Sequence, residues 1–184
     1  MHSPFQLRLA AETLRKGGVL AWPTEAIYGI GCDPLNAHAV QRLLALKQRP
    51  LTKGLILTGA NYEQILPFIH PLPGEGMQQV LKSWPGPHTW LLPASPLAPF
   101  WITGGTGMVA VRVTAHPLAR DLCLAFGGAL TSTSANRSGH PPARTPLEVR
   151  LRCPGTHAIL HGPTGGRRRP TPIRNALNGE VIRP

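Results

Sequence analysis

Residues 108–136 read MVAVRVTAHPLARDLCLAFGGALTSTSAN, and the fold class turns on how this stretch divides. MVAVRVT (108–114) is rich in β-branched residues and alternates, the period-two pattern of a strand with one buried face. HPLARDLCLAF (116–126) switches to helical spacing, and Gly127-Gly128 supplies the stop. ALTSTS (129–134) is strand-like again and runs straight into the loop ANRSGHPPA. The exchange continues in both directions. Upstream, Leu7, Ala10, Ala11 and Leu14 form the stripe of a helix over 5–16 that stops at Gly17-Gly18, and short strands follow at 19–22 and 27–32. Asn36 is placed to cap a helix reaching Lys47, with Ala39, Val40, Leu43 and Leu44 inward and Pro50 enforcing the end. GLILT (54–58) and HTWLLPA (88–94) read as strands, YEQILPFI (62–69) and MQQVLKSW (77–84) as helices. Downstream, a helix over 146–152 and a strand over 157–161 precede GPTGGRRRPTP, an irregular Gly/Pro loop able to close over a ligand. This order predicts an α/β domain with a parallel or mixed sheet, whose ligand crevices lie beyond strand ends.

The 184 residues suit one domain spanning 1–184. A hydrophobic share of 42% excludes a disordered chain, and Gly 20 and Pro 21 fall between patterned segments, not in a repeat. No stretch reaches the ~20 apolar residues of a membrane span, and the start lacks a secretory pattern, so a soluble cytoplasmic protein is expected. Cys32, Cys123 and Cys153 are too widely spaced for a disulfide framework or a zinc site and are expected to be buried thiols. Lys+Arg 19 against Asp+Glu 8 leaves +11, and 15 of those cations are Arg, whose planar fork meets phosphate or carboxylate at two points. A polyanion or nucleotide suits such a chain; a merely solvated surface suits it equally.

Three constellations can carry chemistry. Lys47, Arg49 and Lys53 follow one another with no acid between Arg42 and Lys53. They either hold a polyphosphate or complement the negative end of a helix. Because they leave a helix end, Lys47→Ala and Arg49→Ala are expected to spare the fold. Thr131 to Asn136 bring four hydroxyls and an amide to a strand end, as phosphate or carboxylate donors or as plain turn formers. Ser134 has no GxSxG setting and is not read as a nucleophile. Arg112 stands in an apolar strand, so its head either reaches an edge or meets a carboxylate; with only eight acids for 19 cations, a ligand carboxylate is favoured. GGTG (104–107) and GPTGG (162–166) match neither a P-loop nor a Rossmann fingerprint. His157 and His161 lie on a strand without further ligands, so no metal site is predicted. Arg167 to Arg169 form either a solvated run or a phosphate contact.

Taken together, WPTEAIYGIGCDP (22–34), LKQRPLTKGLIL (46–57), MVAVRVTAHP (108–117) and STSANRSG (132–139) resemble the YrdC-like family, in its short single-domain bacterial form. The resemblance runs in order from about Leu20 to Arg183 and includes KxR as Lys47 and Arg49, and SxN as Ser134 and Asn136. It implies a twisted mixed β-sheet flanked by helices around a basic concave cavity. It also implies a nucleotidyltransferase that joins L-threonine, bicarbonate or CO2, and ATP into threonylcarbamoyl-AMP, releasing pyrophosphate, for t6A modification at adenosine 37 of ANN-decoding tRNAs. In its terms Lys47, Arg49, Ser134, Asn136 and Arg183 hold ATP, Lys47 and Arg49 being the catalytic pair. Thr24, Arg112 and Thr171 meet threonine, with Tyr28, Thr58 and Ser132 as neighbours. Mg2+ would come with ATP, held by phosphates and water. Partner proteins would carry the product to tRNA, and no membrane is involved. Thr171-Pro172 departs from the family's Ser-containing stretch, and the end at Pro184 leaves no room for the extra domain of longer relatives. Two other readings stand beside this one: a non-catalytic RNA- or tRNA-binding module using the same basic concavity, and a carbamoyl-transfer module of larger hydrogenase-maturation proteins.

Overall fold

The computed structural model describes residues 3–184; Met1 and His2, the first two positions of the expected 1–184 domain, lie outside the described residues. The strands are β1 (Leu20–Pro23), β2 (Tyr28–Gly31), β3 (Ile56–Gly59), β4 (Thr89–Pro93), β5 (Met108–Val113), β6 (Leu130–Ser134), β7 (Ala158–Ile159), β8 (Ile173–Asn175) and β9 (Val181–Arg183). The helices are α1 (Pro4–Arg15), α2 (Ala37–Lys47), α3 (Tyr62–Ile65), α4 (Glu75–Lys82), α5 (Phe100–Thr103), α6 (Pro117–Phe126) and α7 (Pro146–Arg152). The strands join in the order β7-β1-β2-β6-β3-β5-β4-β8-β9. Pairs β1/β7, β3/β5 and β4/β8 are parallel and the rest antiparallel, so the sheet is mixed. The decisive stretch behaves as read, with one addition: β5 and β6 do not pair with each other but flank β3, one parallel and one antiparallel, and α6 carries the chain across.

Strand periodicity sorts the two faces. In β5, Val109, Val111 and Val113 are buried in the main core, while Met108, Ala110 and Arg112 look into a cavity. The main core gathers Val40 and Leu43 of α2, Val80 of α4, and Leu57 and Leu92 from the sheet. A second cluster unites Ala10 and Leu14 of α1 with Ala119 and Leu122 of α6 over Leu20, Trp22 and Leu130. Each Val or Leu side chain among these, fully buried, contributes about 1.5–3 kcal/mol. Local chemistry sets the helix ends. Ser3 and Gln6 form a capping box on α1, and the Asn36 side chain accepts from Ala39 N at 3.0 Å to start α2. Gln48 turns left-handed (φ 49°) to end α2 before Pro50. Arg15 ties α1 to α6 by donating to the last carbonyls of α6, Ala125 O at 2.7 Å and Phe126 O at 2.9 Å.

Several expectations need correction. The helix read over 62–69 divides into α3 and a 3-10 turn, Leu66–Phe68, because Pro67 has no N–H to continue the ladder. The strand read over 157–161 shrinks to β7. The loop read over 162–172 is irregular as expected, but beyond it, where no element was read, β8 and β9 find partners in β4 and in each other. The short α5 and the 3-10 turn Leu51–Lys53 carry no periodic signal and were not predicted.

Candidate active site

One mixed polar and apolar face of β3, β5 and β6 forms the floor of a cavity of about 530 Å3, a size suited to a small organic ligand. Ile56, Ala110, Arg112, Ser132 and Ser134 come from the floor strands; Arg49 and residues 52–55 make one wall. Thr24, Gly29, Pro170, Thr171, Ile182 and Arg183 complete the lining. The strands must come close to build this floor: a Cβ on Gly31 would sit 1.7 Å from Thr131 O. Glycine is therefore the only residue that lets β2 lie against β6 here.

Three arginines share the cavity. Arg49 donates through Nε and Nη2 to Gly54 O at 3.1 and 3.0 Å, and through Nη2 to Lys53 O at 3.1 Å, which aims it along the wall. Arg183 donates through Nη2 to Thr171 O at 2.7 Å. Burial pulls both below the ordinary arginine value, and Arg183 beside Arg49, and Arg112 beside Arg183, pull further. An arginine does not give up its proton under such pressure; it awaits an anion.

Arg112 corrects the sequence reading. Its head does not wait for a ligand carboxylate alone, because the chain supplies one: Glu25 Oε2 lies 3.5 Å from Arg112 Nη1, both side chains being buried. The same Nη1 donates to Thr171 Oγ1 at 3.2 Å, and Arg112 Nε has no partner. Glu25 Oε1 accepts from the Thr114 hydroxyl at 2.7 Å and from Ala115 N at 3.2 Å. Burial pushes the Glu25 carboxyl up, but Arg112, Thr114 and Ala115 together hold it below the usual carboxylate range. Sequence reasoning missed Glu25, although it stands in the quoted WPTEA and a buried arginine in an acid-poor chain is a reason to look for its acid.

Lys47 corrects a second expectation. It does not leave the helix end for solvent: it is 2% exposed, and its Nζ donates to Asn136 O at 2.8 Å and to Ser134 O. The two signature pairs thus meet, but beneath the cavity floor and through main-chain carbonyls. Burial draws the Lys47 ammonium down to about 8, with Cys153 opposing and Arg49 adding. Since Lys47 supports a buried turn, its removal is expected to cost stability. Asn136 also serves its turn, donating through Nδ2 to Arg137 O at 2.9 Å and His140 O at 2.5 Å, with Oδ1 buried and unpartnered.

The remaining candidates divide. Thr24, Ser132 and Thr171 line the cavity with Arg112. Thr58 pairs in register with Arg112 on the next strand, and its buried Oγ1 has no partner, though it is not part of the wall. Tyr28 is not brought to the cavity: its hydroxyl donates to Gly162 O at 2.7 Å and accepts from Gly162 N at 3.0 Å, so it fastens the strap after β7. Among the described residues no group of His, Cys, Asp or Glu could hold a metal ion; His157 Nδ1 accepts from Val19 N at 3.1 Å, and the three cysteines are free and buried.

Comparison with known proteins agrees with this architecture. The Sua5/YciO/YrdC family model, described as telomere recombination, matches residues 12–184. The chain is 56% identical to threonylcarbamoyl-AMP synthase of Halorhodospira halophila over 98% of its length and 95% of the relative's, and 50% identical to that of Pseudomonas aeruginosa over the whole of both. Among solved structures it resembles P. abyssi Sua5 complexed with L-threonine (TM-score 0.93, 32% identity), covering all of this chain and 55% of that one. The fold is also that of E. coli YciO, at TM-score 0.86 and 23% identity over all of this chain and 90% of the other. With a family model spanning nearly its full length, the chain belongs to the Sua5/YciO/YrdC family.

Proposed function

We propose that this chain is a threonylcarbamoyl-AMP synthase, a nucleotidyltransferase that makes L-threonylcarbamoyladenylate and pyrophosphate from L-threonine, bicarbonate or CO2, and ATP. One observation carries the reading beyond the names of its relatives: Arg49, Arg112 and Arg183 open into one cavity lined by Ser132, Ser134 and Thr171. That cavity offers Arg49 and Arg183 as cations for a triphosphate and, meeting Arg183 at Thr171, the paired Arg112 for an amino-acid carboxylate.

The chemistry follows from positioning. The threonine amine takes up CO2 and loses a proton to give a carbamate. A carbamate oxygen then forms a bond to the α-phosphorus as the bond to the β-phosphate oxygen breaks, and pyrophosphate leaves with that electron pair. Arg49 and Arg183 stabilise the charge on the phosphates, and Ser134 donates to the nucleotide. Lys47 and Asn136 act from below by fixing the turn that presents Ser134. Arg112 takes the threonine carboxylate, with Ser132, Thr24 and Thr171 around the amino acid and Thr58 and Tyr28 supporting the strands behind. Holding the carbamate in line with the α-phosphorus supplies most of the acceleration, since no side-chain nucleophile is needed. Mg2+ would enter on ATP and be held by phosphates and water.

The product would serve t6A formation on tRNA through partner transfer proteins, in the cytoplasm; no helix among the described residues is long and apolar enough to cross a membrane. Pyrophosphate release should require ATP, threonine and bicarbonate together. Release without threonine contradicts the reading, and tight, steeply salt-dependent tRNA binding with no ATP turnover would favour a non-catalytic RNA-binding module instead.

A further inference from the structure

We propose that Glu25 is a positioning residue for the amino-acid end of the cavity, holding Arg112 in the orientation that receives the threonine carboxylate. The proposal rests on the reading of Arg112 given above. Glu25 itself is no part of the cavity wall, although Thr24 and Ala26 on either side are. It therefore acts through other groups.

The geometry separates the two oxygens of its carboxylate. Oε1 is anchored by the Thr114 hydroxyl at 2.7 Å and by Ala115 N at 3.2 Å, both just beyond the end of β5, the strand that carries Arg112. Oε2 makes no hydrogen bond and is left 3.5 Å from Arg112 Nη1. A carboxylate fixed on one side and charged on the other sets the direction of the guanidinium without occupying all its donors. Nη1 is held between Glu25 and Thr171 Oγ1 and Nε is buried without a partner, so Nη2 is the guanidinium nitrogen that neither Glu25 nor Thr171 engages. The main chain at Glu25 adds a second function: its carbonyl accepts from Arg167 N at 3.0 Å, and a Cβ on Gly165 would lie 2.9 Å from Glu25 Cα. The same residue that aims Arg112 thus seats the strap that leads to Thr171.

A merely neutralising acid would stabilise the fold and affect both substrates alike. A positioning acid affects threonine. Glu25→Gln keeps the shape and the acceptor for Thr114 but loses the charge facing Arg112. We expect its KM for threonine to rise about tenfold, with the KM for ATP within twofold of the parent and kcat lowered less than threefold. An unchanged or lower threonine KM, or an equal rise for both substrates, overturns the proposal. Should Glu25→Gln fail to fold, Thr114→Val carries the test: both charges remain while the hydroxyl that orients the carboxylate is lost, together with the bond it accepts from His116 N at 3.1 Å, which lies outside the cavity wall. It should raise the threonine KM about threefold and leave the ATP KM unchanged; no change in the threonine KM overturns the proposal. Arg112→Ala, assayed in parallel, separates the two levels of inference. If it raises the threonine KM while both other variants behave as the parent, only the role of Glu25 falls; if it spares threonine, the assignment of Arg112 falls with it.

Discussion

Lys47 and Arg49, two positions apart, answer to different physics. Lys47 lies one helical turn beyond Leu43 and thus on the buried stripe of α2, where its ammonium satisfies two carbonyls. Lys47→Ala leaves those carbonyls unpaired and opens a void, so a loss of about 2–4 kcal/mol is expected in urea unfolding. Arg49, half-buried on the cavity wall, should behave oppositely: Arg49→Ala lowers stability by less than about 1 kcal/mol while raising the ATP KM about tenfold in a pyrophosphate-release assay, a factor worth about 1.4 kcal/mol. The pH response follows from the same burial. Lys47 is drawn from the free lysine value down to about 8, so below that pH it is charged in both folded and unfolded chains and the cost of burying the charge is carried in full. Between about 8 and the free lysine value the folded chain sheds the proton first, the unfolded chain binds more protons, and this group's contribution to stability rises with pH. Function runs the other way: the turn under Ser134 loses its cation, and the ATP KM should climb above about pH 8 even as the melting temperature does not fall on this group's account. A flat ATP KM from pH 7 to 9.5 would remove Lys47 from that role. The pairing of KxR with SxN was legible in the sequence; the inward direction of Lys47 was legible only to a reader who let the helical phase of Val40 and Leu43 outweigh the expectation that lysine seeks water.

At the scale of elements, the strongly periodic segments were readable and the short ones were not. The helices over Pro4–Arg15, Ala37–Lys47, Pro117–Phe126 and Pro146–Arg152 announce themselves by stripe, cap and stop. Strands β8 and β9, three residues each, have no room for a period and exist because β4 offers an edge; nothing local in TPIRNALNGEVIRP states that. The α7 start shows what a cap contributes. Thr145 Oγ1 accepts from Glu148 N at 3.2 Å, and Glu148 Oε2 accepts from Thr145 N at 3.1 Å. Farther along α7, Arg152 donates to Pro141 O at 3.2 Å and Pro142 O at 2.6 Å, fastening the loop that follows Asn136. Thr145→Ala should cost about 1 kcal/mol in denaturant unfolding with the ATP KM changed less than twofold. A large KM change would mean that α7 sets the nucleotide site and does not merely brace it.

For the molecule as a whole, the net charge is +11, and Arg49, Arg112 and Arg183 share one cavity. An apo protein that keeps these cations together should gain from any anion that separates their charges. With ATP a hundredfold above its dissociation constant the stabilisation is about 2.7 kcal/mol, a rise of roughly 5–10 °C in melting temperature for a chain of this size. The rise should shrink as salt is raised at fixed ATP; a salt-independent shift would argue that the arginines are not what ATP meets. The composition left an anionic partner and a solvated surface both open and the alternation predicted a parallel or mixed sheet, but the order of nine strands and the convergence of three distant arginines depend on long-range pairing that no window of sequence contains. Beside that convergence runs a tie from α2 to the end of β6 and the turn after it, spanning 87 and 89 residues of chain, whose acceptors are main-chain oxygens. Every amino acid brings such an oxygen. In a saturation library, then, position 134 should tolerate many replacements as foldable though inactive protein at little cost in stability, whereas replacements at position 47 should fold with the stability loss of Lys47→Ala: the lock is written in one letter, and the keyhole in none.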